Sequence, residues 1–140
     1  MLQLGAGEEG LGGLGALGRA GFAAAVARLG DPSAALADFD TALAAARRFK
    51  DPFSEGTILA RRSAALARVG SPDQPALLAD LEAAIAIFER IGARPALSRT
   101  LRTYAQALAR AGRGPEVEKA RERADAIKTE LGLLDPDVVA

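Results

Sequence analysis

Ala65-Leu66-Ala67-Arg68-Val69-Gly70 returns as Ala107-Leu108-Ala109-Arg110-Ala111-Gly112 and, more loosely, as Ala25-Val26-Ala27-Arg28-Leu29-Gly30. Each copy is an apolar, Ala-rich run closed by Gly, the pattern of a helix ending on a residue that takes positive φ without strain. From Gly30 to Gly70 is 40 residues and from Gly70 to Gly112 is 42, so one unit recurs about three times. Helical units of this period cannot bury their apolar faces alone and must stack on their neighbours. The expected fold is therefore all-α, an α-solenoid of about three antiparallel helix pairs.

Composition agrees with close helix packing. Hydrophobic residues make up 49% of the 140-residue chain but aromatic residues only 4%, so the core must be built from Ala, Leu, Val and Ile. Lys and Arg balance Asp and Glu at 18 each, which argues against the basic excess of a general nucleic-acid binder. Cys and His are absent. Disulfides, thiolate or imidazole zinc sites, thiol nucleophiles and imidazole acid–base chemistry are thereby excluded. No apolar run approaches the length of a membrane span, and Glu8 and Glu9 interrupt the place where a signal peptide needs its apolar segment. The expected location is the cytoplasm.

In chain order, residues 1–15 are Gly-rich and read as a flexible start. They hold two overlapping G-x-G-x-x-G matches, at Gly5–Gly10 and Gly10–Gly15. A dinucleotide loop needs a buried strand before it and a parallel strand after its helix, and neither is legible here. No cofactor is expected. The helical domain spans 16–131, in pairs at about 16–50, 57–91 and 96–131, and 132–140 reads as a loose tail. Asp31 and Pro32 open the second helix of the first pair, with Leu36, Phe39, Leu43 and Ala46 on one face. Asp51, Pro52, Ser54 and Gly56 read as a break, with the next helix over 57–69. Ser71-Pro72-Asp73-Gln74-Pro75 is a turn two residues longer than its counterpart in the first pair. Leu77, Leu78, Leu81, Ile85 and Phe88 then stripe a helix closing at Gly92. Ala93-Arg94-Pro95 separates the pairs, the next helix runs over 96–111, and Pro115 opens the last.

These pairs resemble tetratricopeptide repeats, helix-turn-helix units that stack into a right-handed superhelix with the first helices lining a concave face. In the first pair Ala23, Ala35, Phe39 and Ala42 fall where that motif wants small, small, bulky and small residues. In the second, Ser63, Leu81 and Ala84 keep their places and Leu77 does not. In the third, Ala105 and Ala124 fit, whereas Val117 and Arg121 are off-pattern, and the family's Trp, Tyr and closing Pro positions are unmatched throughout. The long second helices are similar to the stretched repeats of bacterial signalling ATPases, transcriptional activators and nucleotide cyclases. The resemblance implies a protein–protein interaction module.

The placement of charge carries the most functional content. The expected first helices hold Arg19, Arg28, Arg61, Arg62, Arg68, Arg99, Arg102 and Arg110 and no acidic residue. If they line a concave face, Arg61, Arg68, Arg99, Arg102, Gln106 and Arg110 present a basic groove to a protein or peptide of acidic character. The planar guanidinium suits carboxylate recognition. A second account of the same residues stays open. Arg28, Arg68 and Arg110 each lie two residues before a helix-ending Gly, where a cation offsets the helix dipole by about 0.3–1 kcal/mol. Arg61, Arg62, Arg99 and Arg102 are also placed to pair with acids of neighbouring helices. Tyr104 reads as core.

Nothing converges on catalysis, and no enzyme is expected. Ser33, Ser54, Ser63, Ser71 and Ser98 have no imidazole partner, and Asp38/Asp40 diverge on a helix. Two functional readings follow. One is an adaptor or scaffold with an Arg-lined groove, binding neither nucleic acid nor membrane. The other is a segment of a larger bacterial signalling or transcriptional regulator that stacks on further repeats, or forms a homodimer, through an end-face.

Overall fold

The computed structural model describes residues 32–69 and 75–132. The Gly-rich start, the expected helix over 16–29 with Arg19 and Arg28, the stops at Gly30 and Gly70, most of the 71–75 turn and the tail after Gly132 lie outside the described residues. Five helices are described: α1 (Pro32–Arg48), α2 (Pro52–Val69), α3 (Pro75–Ile91), α4 (Arg94–Arg110) and α5 (Gly114–Gly132). There is no strand among the described residues. None of these helices is long and apolar enough to cross a membrane.

Short connections force consecutive helices to run antiparallel. Three of them use one device, in which the last turn closes by a pair of backbone bonds and the next residue but one turns away. After α1, Lys50 N–H donates to Arg47 O and Asp51 N–H to Ala46 O; after α3, Gly92 donates to Glu89 O and Ala93 to Phe88 O; after α4, Gly112 donates to Ala109 O and Arg113 to Leu108 O. The turning residue has positive φ each time, 53° at Lys50, 72° at Gly92 and 76° at Gly112. The expected stops at Gly92 and Gly112 are therefore present.

The start of α2 corrects the expected break at Asp51, Pro52, Ser54 and Gly56. Only Asp51 lies outside the helix. Its carboxylate accepts from Ser54 N–H at 3.1 Å and from Ser54 Oγ at 2.8 Å, and Pro52 occupies the first helical position, where a missing N–H costs nothing. Gly56 lies inside the helix because Phe88 of α3 crosses there. A Cβ at Gly56 would stand 2.8 Å from the Phe88 ring, which also meets Phe53 at 5.8 Å between centroids. The longer α2 also includes Glu55, so this helix is not free of acids as expected. Glu55 accepts from Arg47 Nε of α1 at 3.0 Å. Similarly, α4 begins at Arg94 rather than 96, with Pro95 in its first turn.

The helices pack in sequence order, α2 most extensively on α3 and α4 on α5, with α1 on α2 and α3 on α4. The main core joins Phe39, Leu43, Ile58, Phe88, Leu97 and Leu101 through the small residues Ala35, Ala42, Ala84 and Ala124. A second cluster joins Leu77, Leu78 and Leu81 to Ala105, Leu108 and Val117. Of the positions that carry the repeat resemblance, Ala23 lies outside the described residues, and Ala35, Phe39, Ala42, Ser63, Leu81, Ala84, Ala105 and Ala124 are all buried.

Burial also fixes the register between the pairs. Leu77, Asp80, Ala84 and Ile87 of α3 are buried, and so are their counterparts 40 residues on, Val117, Ala120, Ala124 and Ile127 of α5. Leu78, Leu81, Ile85 and Phe88 are equally buried, but their counterparts Glu118, Arg121, Asp125 and Lys128 are exposed. The reason is coverage. Helix α3 packs against both α2 and α4, whereas among the described residues α5 packs against α4. The second stripe, buried in α3 with its two neighbours, is charged in α5.

Candidate functional site

Helices α2 and α4 are both antiparallel to α3 and flank a groove of about 390 Å³ whose floor includes Phe88. Ala60 and Ala64 of α2 and Ala96 of α4 keep it shallow and apolar, while Arg61 and Arg99 stand along its walls with Thr57, Thr100 and Thr103. The threonine hydroxyls donate into their own helices, Thr57 to Phe53 O at 2.9 Å, Thr100 to Ala96 O at 2.8 Å and Thr103 to Arg99 O at 3.2 Å. Toward a ligand these hydroxyls act as acceptors. The charged donors of the groove are therefore the two guanidinium groups.

The two adjacent arginines of α2 have different fates. Arg62 is partly buried and bridges three helices: Nε and Nη2 donate to Asp80 of α3 at 2.9 and 2.8 Å, and Nη1 donates to Asp40 of α1 at 2.6 Å. The Asp80 bond, set against the cost of burial, holds the guanidinium well above its ordinary pKa, so its charge is permanent. This is the inter-helix pairing that the alternative sequence reading expected. Arg61, Arg99 and Arg102, which that reading also included, form no ion pair among the described residues and are exposed.

Of the six expected site residues, the structure brings Arg61 and Arg99 into one groove. Arg102 joins Arg99 on a neighbouring cavity of about 260 Å³ between α4 and α5, lined also by Pro95, Ser98, Lys128 and Leu131. Gln106 and Arg110 are exposed farther along α4, and Arg68 is exposed near the end of α2; these three line neither cavity. Arg68 and Arg110 stand in the last turns of their helices, where their charge complements the dipole.

No family model, curated protein or solved structure matches this chain.

On the opposite side a third cavity, of about 350 Å³, lies between α3 and α5 over Leu101 and Tyr104 of α4. Most of its polar groups, Lys119 excepted, are already partnered. Tyr104 Oη donates to Glu82 at 2.7 Å, Arg123 pairs with Glu89, and Glu116 accepts two bonds from Arg113 at 2.7 and 2.6 Å. The half-buried phenol is pushed up to about 12, first by burial and then by the Glu82 carboxylate. The expectation that Tyr104 is pure core needs this correction: its ring packs against both core clusters, while its hydroxyl reaches the surface.

Sequence reasoning missed Phe88 as a groove floor, the three threonines and Lys128. Phe88 and Lys128 were legible only through the 40-residue register that burial reveals. The threonines carried no signal beyond helical spacing with Arg61 and Arg99.

Proposed function

We propose that this chain is a non-catalytic interaction module of tetratricopeptide-like architecture that takes an acidic segment of a partner protein into the α2–α4 groove. The single observation that supports this most is the contrast between neighbours. Arg62 is fully engaged with Asp80 and Asp40, whereas Arg61 and Arg99 flank an apolar floor with no counter-ion among the described residues. Two guanidinium groups held over apolar surface suit a ligand that is both anionic and partly apolar. The solenoid reading draws support from the recurring burial register and from α2 and α4 lying on the same side of α3.

The test uses a fluorescently labelled acidic peptide library screened by polarisation against the wild-type chain. Arg61→Glu with Arg99→Glu is expected to abolish capture with an unchanged far-ultraviolet circular dichroism spectrum, and added salt is expected to weaken wild-type binding. Retained capture by the double variant would remove the groove from consideration.

The alternative, a regulator segment that stacks on further repeats or self-associates through an end-face, meets an obstacle on α5. The stripe equivalent to the apolar Leu78, Leu81, Ile85 and Phe88 of α3 carries Glu118, Arg121, Asp125 and Lys128 there, and a charged stripe of this kind does not favour further apolar stacking.

A further inference from the structure

The two cavities beside α4 are the same place in successive repeats, and they differ in chemistry. The 42-residue offset between α2 and α4 and the 40-residue offset between α3 and α5 carry Thr57 onto Arg99, Ala60 onto Arg102 and Phe88 onto Lys128. The α2–α4 groove thus has Ala60 and Phe88 where the α4–α5 cavity has Arg102 and Lys128. An apolar receptor position is followed, one repeat further on, by a cationic one, and Arg99 is a wall of both.

We propose that the ligand is an extended segment placing an apolar side chain over Phe88 and an anionic side chain between Arg99, Arg102 and Lys128, with Lys128 setting the specificity at the second position. This rests on the groove reading above and adds a spacing to it. Each cavity, about 390 and 260 Å³, has room for side chains rather than for a helix ~10–12 Å across. The two cavities lie on either side of α4, a helix about 10–12 Å across with its side chains, and share Arg99 as a wall. At about 3.3 Å per residue that width is crossed by roughly three residues of extended chain. The anion is argued from charge alone. No acidic residue lines the second cavity, so three cations converge there without a counter-ion in its wall.

The experiment is a set of terminally blocked Ser/Gly peptides, each with one Leu and one Glu, in which Glu is moved from one to five residues away on either side of Leu. Titrations are followed by polarisation with wild type, Lys128→Gln and Lys128→Glu, all checked for helicity. The expected result is tightest wild-type binding at a separation near three, by about fivefold over the other spacings, as one ordinary charge contact provides. That preference should fall in Lys128→Gln and fall further in Lys128→Glu, where a like charge faces the peptide carboxylate while Arg99 and Arg102 remain. Peptides that bind without regard to Glu position, or a preference undiminished in both variants, would overturn the two-subsite assignment while leaving the groove itself standing. Failure of every peptide to bind wild type would overturn both.

Discussion

Tyr104 holds in α4 the position that Arg62 holds 42 residues earlier in α2, and both reach the preceding helix. Arg62 donates to Asp40 of α1 at 2.6 Å and Tyr104 donates to Glu82 of α3 at 2.7 Å, and Asp40 and Glu82 are themselves 42 residues apart. The difference lies in the following helix. Asp80 of α3 gives Arg62 a second, bidentate partner, whereas its counterpart in α5 is Ala120. Two acids call for a permanent cation with several donors, and one acid is served by a single hydroxyl.

Arg62→Met is expected to destabilise the fold by about 2–4 kcal/mol, because it leaves the Asp80 carboxylate buried without its counter-ion. Asp80 is only 7% exposed while Arg62 is 23% exposed, so the loss should sit below the full range for a wholly buried pair. Arg62→Met with Asp80→Leu should recover most of the loss. Urea denaturation of the wild type, the two single variants and the double variant forms the cycle that measures the coupling, and purely additive losses would refute it.

Gly56→Ala tests the crossing of α2 and α3. In an exposed helix the change would stabilise by about 1 kcal/mol. Here the new methyl meets the Phe88 ring at 2.8 Å, and Phe88 is 2% exposed and has little room to withdraw. A net loss of about 1–2 kcal/mol is expected from this overpacking, with partial rescue by Phe88→Leu. A raised melting temperature for Gly56→Ala would contradict the close approach.

The three αL caps predict opposite effects of the same chemistry. Lys50→Gly should stabilise by about 0.5–1 kcal/mol, since a side chain at φ 53° carries a steric cost that Gly avoids. Gly92→Ala and Gly112→Ala should each lose about 1 kcal/mol. Thermal melts of the three variants are sufficient, and a uniform direction of change would rule out the cap geometry as the cause.

Alkaline pH should weaken the fold through Tyr104. Its folded value of about 12 lies above the ordinary 10.0, so ionisation is harder in the folded state than in the unfolded one. The contribution is complete below pH 10 and is lost as pH rises through 12. As the only Tyr in the chain, it can be titrated directly by tyrosinate ultraviolet absorbance, and a midpoint at the ordinary value would contradict this. Tyr104→Phe should remove this part of the alkaline loss, at a neutral-pH cost of about 0.5–1.5 kcal/mol for the Glu82 hydrogen bond.

Much of the helical plan is legible in the sequence. Leu77, Leu81, Ile85 and Phe88 at helical spacing placed α3, and the stops at Gly92 and Gly112 coincide with the observed caps. The break misread at Pro52–Gly56 failed for a physical reason. Pro at a first helical position and Gly at a helix crossing are the same letters that mark a loop, and only the Phe88 ring beside Gly56 distinguishes the cases.

By itself the sequence determined the helical character of the described residues, because periodicity, caps and small-residue spacing act locally along the backbone. It also determined that the chain has no thiol or imidazole chemistry. The tertiary structure alone decided which charges are structural and which face outward. Arg61 and Arg62 are adjacent and chemically identical, but successive side chains diverge by about 100° around a helix. One of them therefore meets Asp40 and Asp80, and the other stands over the groove. Lys128 likewise acquires its place beside Arg99 and Arg102 only because α5 packs on α4 in the register that carries Phe88 onto it.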